Sequence, residues 1–193
     1  MSEHAPATEI DTKQAETEQP VSNVGAAPPG NSLLARRGLS FFVIAAAVIA
    51  LDQLTKVIIR ATLSPGEAWP DRDWLLNIVN VSNSGAAFGI LQGQTTFLVV
   101  TSLVGVVAIV LYYFYPPLEH GLLRVALGLQ LGGAAGNLID RVRFGEVTDF
   151  INFDFWPAFN VADASISIGV VTILWFLLIS EGERFRQPPP DGD

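Results

Sequence analysis

The chain has 193 residues, half of them hydrophobic, and a mean hydropathy of +0.40, which excludes an ordinary soluble domain and points to apolar runs that cross a membrane. Its formal net charge of −8 belongs largely to the ends, where Glu3, Glu9, Asp11, Glu16, Glu18, Asp191 and Asp193 sit, so no basic surface for nucleic acid is present. There is no cysteine, and His4 and His120 are the two histidines; disulfides and thiolate chemistry are excluded, a zinc site or Ser-His-Asp triad is hard to build, and acid–base work falls to carboxylates.

Residues 1–35 are rich in Ala, Pro, Glu, Thr and Gly and poor in bulky apolar side chains, so they are expected to be a disordered extension. Arg36-Arg37 before an apolar run has the look of a signal-peptide start. The run over 39–59 is nevertheless long enough to span a bilayer, and no small-residue cleavage site follows it, so it is predicted to be a retained helix. Asp52 and Lys56 lie one helical turn apart in this span and can pair on one face. The plainer alternative is a helix end at the interface, with Lys56 snorkelling to water.

Residues 61–94 form a polar connection. Ser64-Pro65-Gly66 marks a turn, Trp69 and Trp74 suit the membrane–water interface, and 75–82 (LLNIVNVS) is β-branched enough for a short strand. Asn83-Ser84-Gly85-Ala86-Ala87-Phe88-Gly89 follows, with small residues that allow close backbone approach; a tight hairpin loop accounts for it on pattern alone. A second span covers 97–115 and ends at Pro116-Pro117. The short link through Glu119, His120 and Gly121 makes the next span antiparallel to it, and His120 reads as a solvated loop residue.

The third span covers 122–139. Gly128, Gly132 and Gly136 recur every four residues on one face, a spacing that lets helices approach closely in lipid. At its far end Asn137, Asp140 and Arg141 stand at i, i+3 and i+4, where a structural Asp140–Arg141 pair is expected. A polar loop then carries Asp149 and Asp154. The fourth span covers 161–179, with Asn160 as its N-cap and Asp163 in its first turn, where the helix dipole favours an acid. Residues 184–193 read as an exposed tail. The prediction is therefore a mainly α, polytopic membrane protein with its body over 36–183. Four spans put both ends on one side and both polar connections on the other. Arg36, Arg37, Arg124, Arg184 and Arg186 on one side balance Lys56, Arg60, Arg72, Arg141 and Arg143 on the other, so the charge rule sets no orientation.

Two carboxylates held close share a proton, and such a pair can activate water and protonate a carbonyl without a metal. Asp52, Asp140, Asp149 and Asp163 are the candidates, and spacing does not say which two converge. An aspartyl hydrolase, a small transporter or proton-relay protein, and a structural membrane subunit all remain open on the residues.

Five motifs in order narrow this: Asp52-Gln53-Leu54-Thr55-Lys56, the Asn83–Gly89 stretch, Gly132–Arg141 (GGAAGNLIDR), Val147-Thr148-Asp149-Phe150-Ile151 and Pro157–Asp163 (PAFNVAD). Over about residues 39–180 the chain resembles lipoprotein signal peptidase, the type II signal peptidase of bacteria. The resemblance implies an intramembrane aspartyl endopeptidase with Asp149 and Asp163 as its catalytic pair and no cofactor. It implies that Asn83, Asn137, Arg141 and Asn160 line or support the site. Asp52 falls on a structural acidic position of the family; beside it, Lys56, Asp140 and the three glycines of the third span are read as structural. The implied substrate is a diacylglyceryl-modified prolipoprotein cut just before its lipidated cysteine, and globomycin-type inhibitors are expected to bind. The 61–94 region resembles the family's small extracytoplasmic β-cradle. The family's placement is the bacterial inner membrane, ends in the cytoplasm and site outward. Within the pair, Asp163 is the member expected ionised, and Asp149, beside the aromatic run Phe153–Trp156, the member expected protonated.

Overall fold

A computed structural model describes residues 31–70, 75–86, 90–115 and 120–184. The expectations for the extension 1–30, for Arg72 and Trp74, for Phe88 and Gly89, for the Pro116-Pro117 stop and for the tail beyond Arg184 lie outside the described residues. Four helices carry the fold: α1 (Asn31–Thr62), α2 (Thr95–Phe114), α3 (Gly121–Phe144) and α4 (Val161–Arg184). Each contains a window long and apolar enough to cross a membrane: Leu39–Thr62, Thr95–Phe114, Gly121–Phe144 and Val161–Ser180. Helix α1 begins at Asn31, inside the stretch read as extension.

The polarity of the bundle is that of a protein in lipid. Leu54, Val104, Trp175 and Leu178 are each more than half exposed, while Asp52, Lys56, Asp140 and Asn160 are completely buried. A backbone with no water to bond to must satisfy itself, which helices do internally. Side chains with charge turn inward, where partners exist.

Helix α3 touches all three other helices. Its glycines explain how. A Cβ on Gly128 would stand 3.0 Å from the Phe41 carbonyl oxygen, and one on Gly132 would stand 2.6 Å from Val48 Cβ, both on α1. On the flank facing α4, a Cβ on Gly133 would run into the Ala162 carbonyl, and Gly169 of α4 returns the close approach at Ala126 and Gln130. The apolar core forms in the half of the bundle nearer the start of α1, around Phe41, Ala45, Leu127 and Leu131, with Tyr113 of α2 stacked on Phe41 at 4.0 Å between ring centroids.

Helix α3 also runs past the apolar stretch that announced it, to Phe144. Gly145 at φ 81° ends it, and its N–H donates to the Arg141 carbonyl at 3.0 Å. The polar loop expected between α3 and α4 is instead two strands, β3 (Val147–Phe153) and β4 (Trp156–Phe159). They join β1 (Ala68–Trp69) and β2 (Leu76–Asn83) in one antiparallel sheet of order β1-β2-β3-β4. The β2–β3 register pairs Val81 with Asp149 and Asn83 with Val147, with a bulge between Ile78 and Val81. Residues 147–150 are all buried, so the strand shows no in–out alternation for a sequence pattern to reveal. The sheet fastens the two polar connections to each other at one end of the bundle.

Candidate active site

Helix α4 opens with a reciprocal cap. The Asp163 N–H donates to Asn160 Oδ1 at 3.0 Å, and the Asn160 N–H donates to Asp163 Oδ2 at 3.3 Å. This is the capping-box arrangement with Asn and Asp in the two roles, and it points the Asp163 carboxylate back over the start of its helix. Strand β3 delivers Asp149 to the same place. Asn160 Nδ2 donates to Asp149 Oδ1 at 2.7 Å, and Asn83 Nδ2, from the end of β2, donates to Asp149 Oδ2 at 2.9 Å. Asn137 Nδ2, from α3, donates to Asp163 Oδ1 at 2.7 Å. Asn137 and Asn160 also meet directly, at 3.2 Å. Three asparagines from three elements thus hold two aspartates.

Asp149 and Asp163 line one cavity of about 640 Å³, together with Asn83, Asn137 and Arg141. Ala86, Val147, Trp156, Ala158, Ile166 and Ile168 supply apolar wall. Burial pushes the Asp149 carboxyl up from 3.8 to about 6, and the neighbouring Asp163 charge pushes the same way. The amide donors of Asn83 and Asn160 and the Lys56 charge pull against that rise and do not cancel it.

The partners of Asp140 differ from expectation. Its Oδ2 lies 3.2 Å from Lys56 Nζ and 3.7 Å from Arg60 Nη1, and it accepts from the Thr148 N–H at 3.3 Å. Arg141 instead donates from Nη2 to the Gly85 carbonyl at 3.0 Å. The reason is helical phase: adjacent residues point about 100° apart, so Asp140 turns into the bundle and Arg141 into the cavity. Asp52 and Lys56 do pair, at 2.9 Å, and Lys56 does not snorkel; both are completely buried. Asp52 Oδ1 accepts from the Ala162 N–H at 3.0 Å, reaching across α3 where a Cβ on Gly136 would stand 2.6 Å from its other oxygen.

Two residues join the cluster without having been assigned a role. Gln53 Nε2 donates to Asp140 Oδ1 and to the Gly136 carbonyl, each at 3.1 Å. Arg60 Nη1 donates to Thr148 Oγ1 at 2.8 Å and lies over the Phe144 ring at 4.7 Å. The signal for Arg60 was present: 52, 56 and 60 follow one another at four-residue steps along one face of α1. Asp154 is exposed at the β3–β4 turn, away from the site, and exposed His120 sits against the Phe176 ring at 4.8 Å. Among the described residues no group of three or more His, Cys, Asp or Glu is arranged to hold a metal ion. The arrangement can hold two carboxyls against one substrate in a partly enclosed cavity.

Comparison with known proteins bears on what that enclosure does. The family model for signal peptidase II matches residues 44–179. A lipoprotein signal peptidase of Moorella thermoacetica is 44% identical over 151 residues, covering 78% of this chain and 100% of the relative. One from Caldanaerobacter subterraneus is 46% identical over 142 residues, covering 72% of this chain and 96% of the relative. A solved bacterial membrane enzyme, determined by the in meso method, superposes with a TM-score of 0.72 at 35% identity, covering 78% of this chain and 94% of that one.

Proposed function

The chain belongs to the signal peptidase II family, and from that premise we propose that it is an intramembrane aspartyl endopeptidase acting through Asp149 and Asp163. The substrate is a prolipoprotein carrying diacylglycerol on a cysteine, and the bond cut is the one just before that cysteine. The observation that carries the reading is the meeting of Asp149 and Asp163 in one cavity, each gripped by an asparagine amide. A family of membrane proteases leaves the transporter and proton-relay alternatives without support.

The chemistry follows from one proton shared by two acids. An ionised carboxylate removes a proton from a water held between the pair, and the hydroxide oxygen adds to the scissile carbonyl carbon. The protonated carboxyl donates to the carbonyl oxygen, giving a neutral tetrahedral diol. Collapse breaks the C–N bond, with a proton passing to the departing amine, and the pair returns to its starting charge. Asp149, already holding its proton to about pH 6, is the donor. Asn83, Asn137 and Asn160 hold the carboxyls in place. Arg141 fixes Gly85, two residues past the end of β2, beside the cavity wall. The lipid chains stay in the bilayer beside the exposed apolar faces of the helices while the peptide enters the polar end.

The test is incubation of purified protein with a diacylglyceryl-modified prolipoprotein and with the same protein unmodified, read by mass spectrometry of both products. Cleavage of the modified form alone, before the lipidated cysteine, is expected. Equal cleavage of both, or of neither, would overturn the reading. A globomycin-type cyclic peptide is expected to occupy the cavity, and EDTA to leave the rate unchanged.

A further inference from the structure

We propose that Lys56 is a positioning residue for the aspartate pair: its ammonium dictates which way round the Asn137 amide sits, and so presents N–H groups rather than oxygens to both carboxyls. The inference rests on the proposed role of Asp149 and Asp163 and adds to it the reason their donors face the right way.

An ammonium has three hydrogens to donate and nothing to accept. Completely buried Lys56 places them on three oxygens: Asp52 Oδ2 at 2.9 Å, Asp140 Oδ2 at 3.2 Å and Asn137 Oδ1 at 2.9 Å. The first two contacts neutralise charge. The third reaches the site. A side-chain amide has unlike ends, so Asn137 must turn its oxygen to the ammonium. Its nitrogen then falls on Asp163 Oδ1 at 2.7 Å. The same oxygen accepts from Asn160 Nδ2, whose other contact is Asp149 Oδ1 at 2.7 Å. The α4 cap orients Asn160 in the same sense, since its oxygen takes the Asp163 N–H. A flipped Asn137 would set its nitrogen against the Lys56 and Asn160 donors and its oxygen against Asp163. Buried donor–donor and acceptor–carboxylate contacts of that kind are strongly disfavoured. Among the described residues, the charged groups that interact with Lys56 are Asp52 on α1, Asp140 on α3, Asp149 on β3 and Asp163 on α4, with Arg60 of α1 on the far side of Asp140. The counter-charge for Asp140 is shared with Arg60, so charge balance alone does not call for the contact to Asn137.

Without the ammonium, Asn137 is free to turn its oxygen to the pair. The ionised state of the pair loses a donor and a nearby cation, and is reached only at higher pH. A residue that merely held the bundle together would change the amount of folded protein, and the through-space pull of its charge on the pair is offset when the Asp52 charge is removed with it.

The experiment compares Lys56→Met with the double variant Lys56→Met/Asp52→Asn, which removes one positive and one negative charge together and so guards against misfolding from an unpaired acid. Each is purified in detergent, and kcat and KM are measured on lipid-modified prolipoprotein across pH 4 to 9. Carboxyl NMR of aspartate-labelled protein, assigned with Asp149→Asn and Asp163→Asn, follows the same titration without turnover. In the double variant the melting temperature is expected near the wild-type value and KM little changed. The acid limb of kcat and the first titration of the pair are expected to move up by about one pH unit, a tenfold change in the ionisation constant. Carboxyl titrations coinciding with wild type in the folded double variant would overturn the positioning role. Wild-type protein that titrates as a coupled pair yet cuts no prolipoprotein would overturn the proposed function, while the carboxyl shift would still decide the role of Lys56.

Discussion

Asp149 accepts two asparagine hydrogen bonds and still holds its proton up to about pH 6, because loss of hydration outweighs both donors. Four outcomes follow at the level of single residues. Asp149→Asn and Asp163→Asn are each expected to abolish cleavage while leaving the protein folded, since each is near-isosteric and removes an acid; turnover assays on the purified variants check this. The pH dependence has a definite sign. A carboxyl whose folded pKa lies above its unfolded value binds its proton more tightly in the folded state. The Asp149 contribution to wild-type stability therefore falls as pH rises from 3.8 to about 6 and is constant above. Relative to wild type, Asp149→Asn should gain about 2–3 kcal/mol across that window, read from denaturation at pH 4 and pH 8. If Asp149 is the proton donor, kcat/KM should fall above about pH 6, and the kcat limb should lie higher because bound substrate excludes more water. Arg141→Ala should cost activity far more than stability. It unties Gly85 but leaves Asp140 paired with Lys56 and Arg60, and thermal melts beside rate measurements separate the two effects.

Helix α3 works as a hub because its small residues face two partners at once. Gly132 has no room: an added Cβ would stand 2.6 Å from Val48 Cβ and 2.8 Å from the Ala45 carbonyl oxygen. Gly132→Ala is expected to cost about 1–3 kcal/mol, since a backbone atom cannot step aside as a side-chain tip can. Gly105 on α2 meets nothing within 4 Å, and Gly105→Ala should be neutral or stabilise by about 0.5–1 kcal/mol through the helix preference for alanine. Melting the two variants side by side in detergent tests whether close α1–α3 approach, rather than glycine content, carries stability. The loss should extend to activity, because the same approach sets Lys56 against Asn137.

At the scale of the molecule, four spans put the β-sheet and the aspartate pair at one end and the start of α1 and the end of α4 at the other. We expect the sheet end to face outward and the chain ends to lie in the cytoplasm. The absence of cysteine makes this simple to check. Asp154→Cys in the exposed β3–β4 turn should react with a membrane-impermeant maleimide on intact cells, and Ser2→Cys should not. The reverse pattern would invert the orientation. A chain starting at Ala35 should keep its specific activity, because the matched family region begins at residue 44 and, among the described residues, the cavity lining begins at Asn83.

Length and apolarity by themselves determined the four spans, because crossing a bilayer is a demand local to each segment. Helical phase was equally legible: it set Asp52 beside Lys56 and ranged Gly128, Gly132 and Gly136 along one face. The motif resemblance further named Asp149 and Asp163 as the pair. Only the tertiary structure decided the rest. It made β3 and β4 from a stretch that reads as a loop, because β3's partner β2 lies more than sixty residues away and the burial of residues 147–150 erases alternation. It gave Asp140 to Lys56 and Arg60 instead of to its chain neighbour Arg141. It also turned the amides of Asn83, Asn137 and Asn160 onto two carboxyls, because the direction of a hydrogen bond is settled by which donors and acceptors packing brings together, and no spacing along the chain records that.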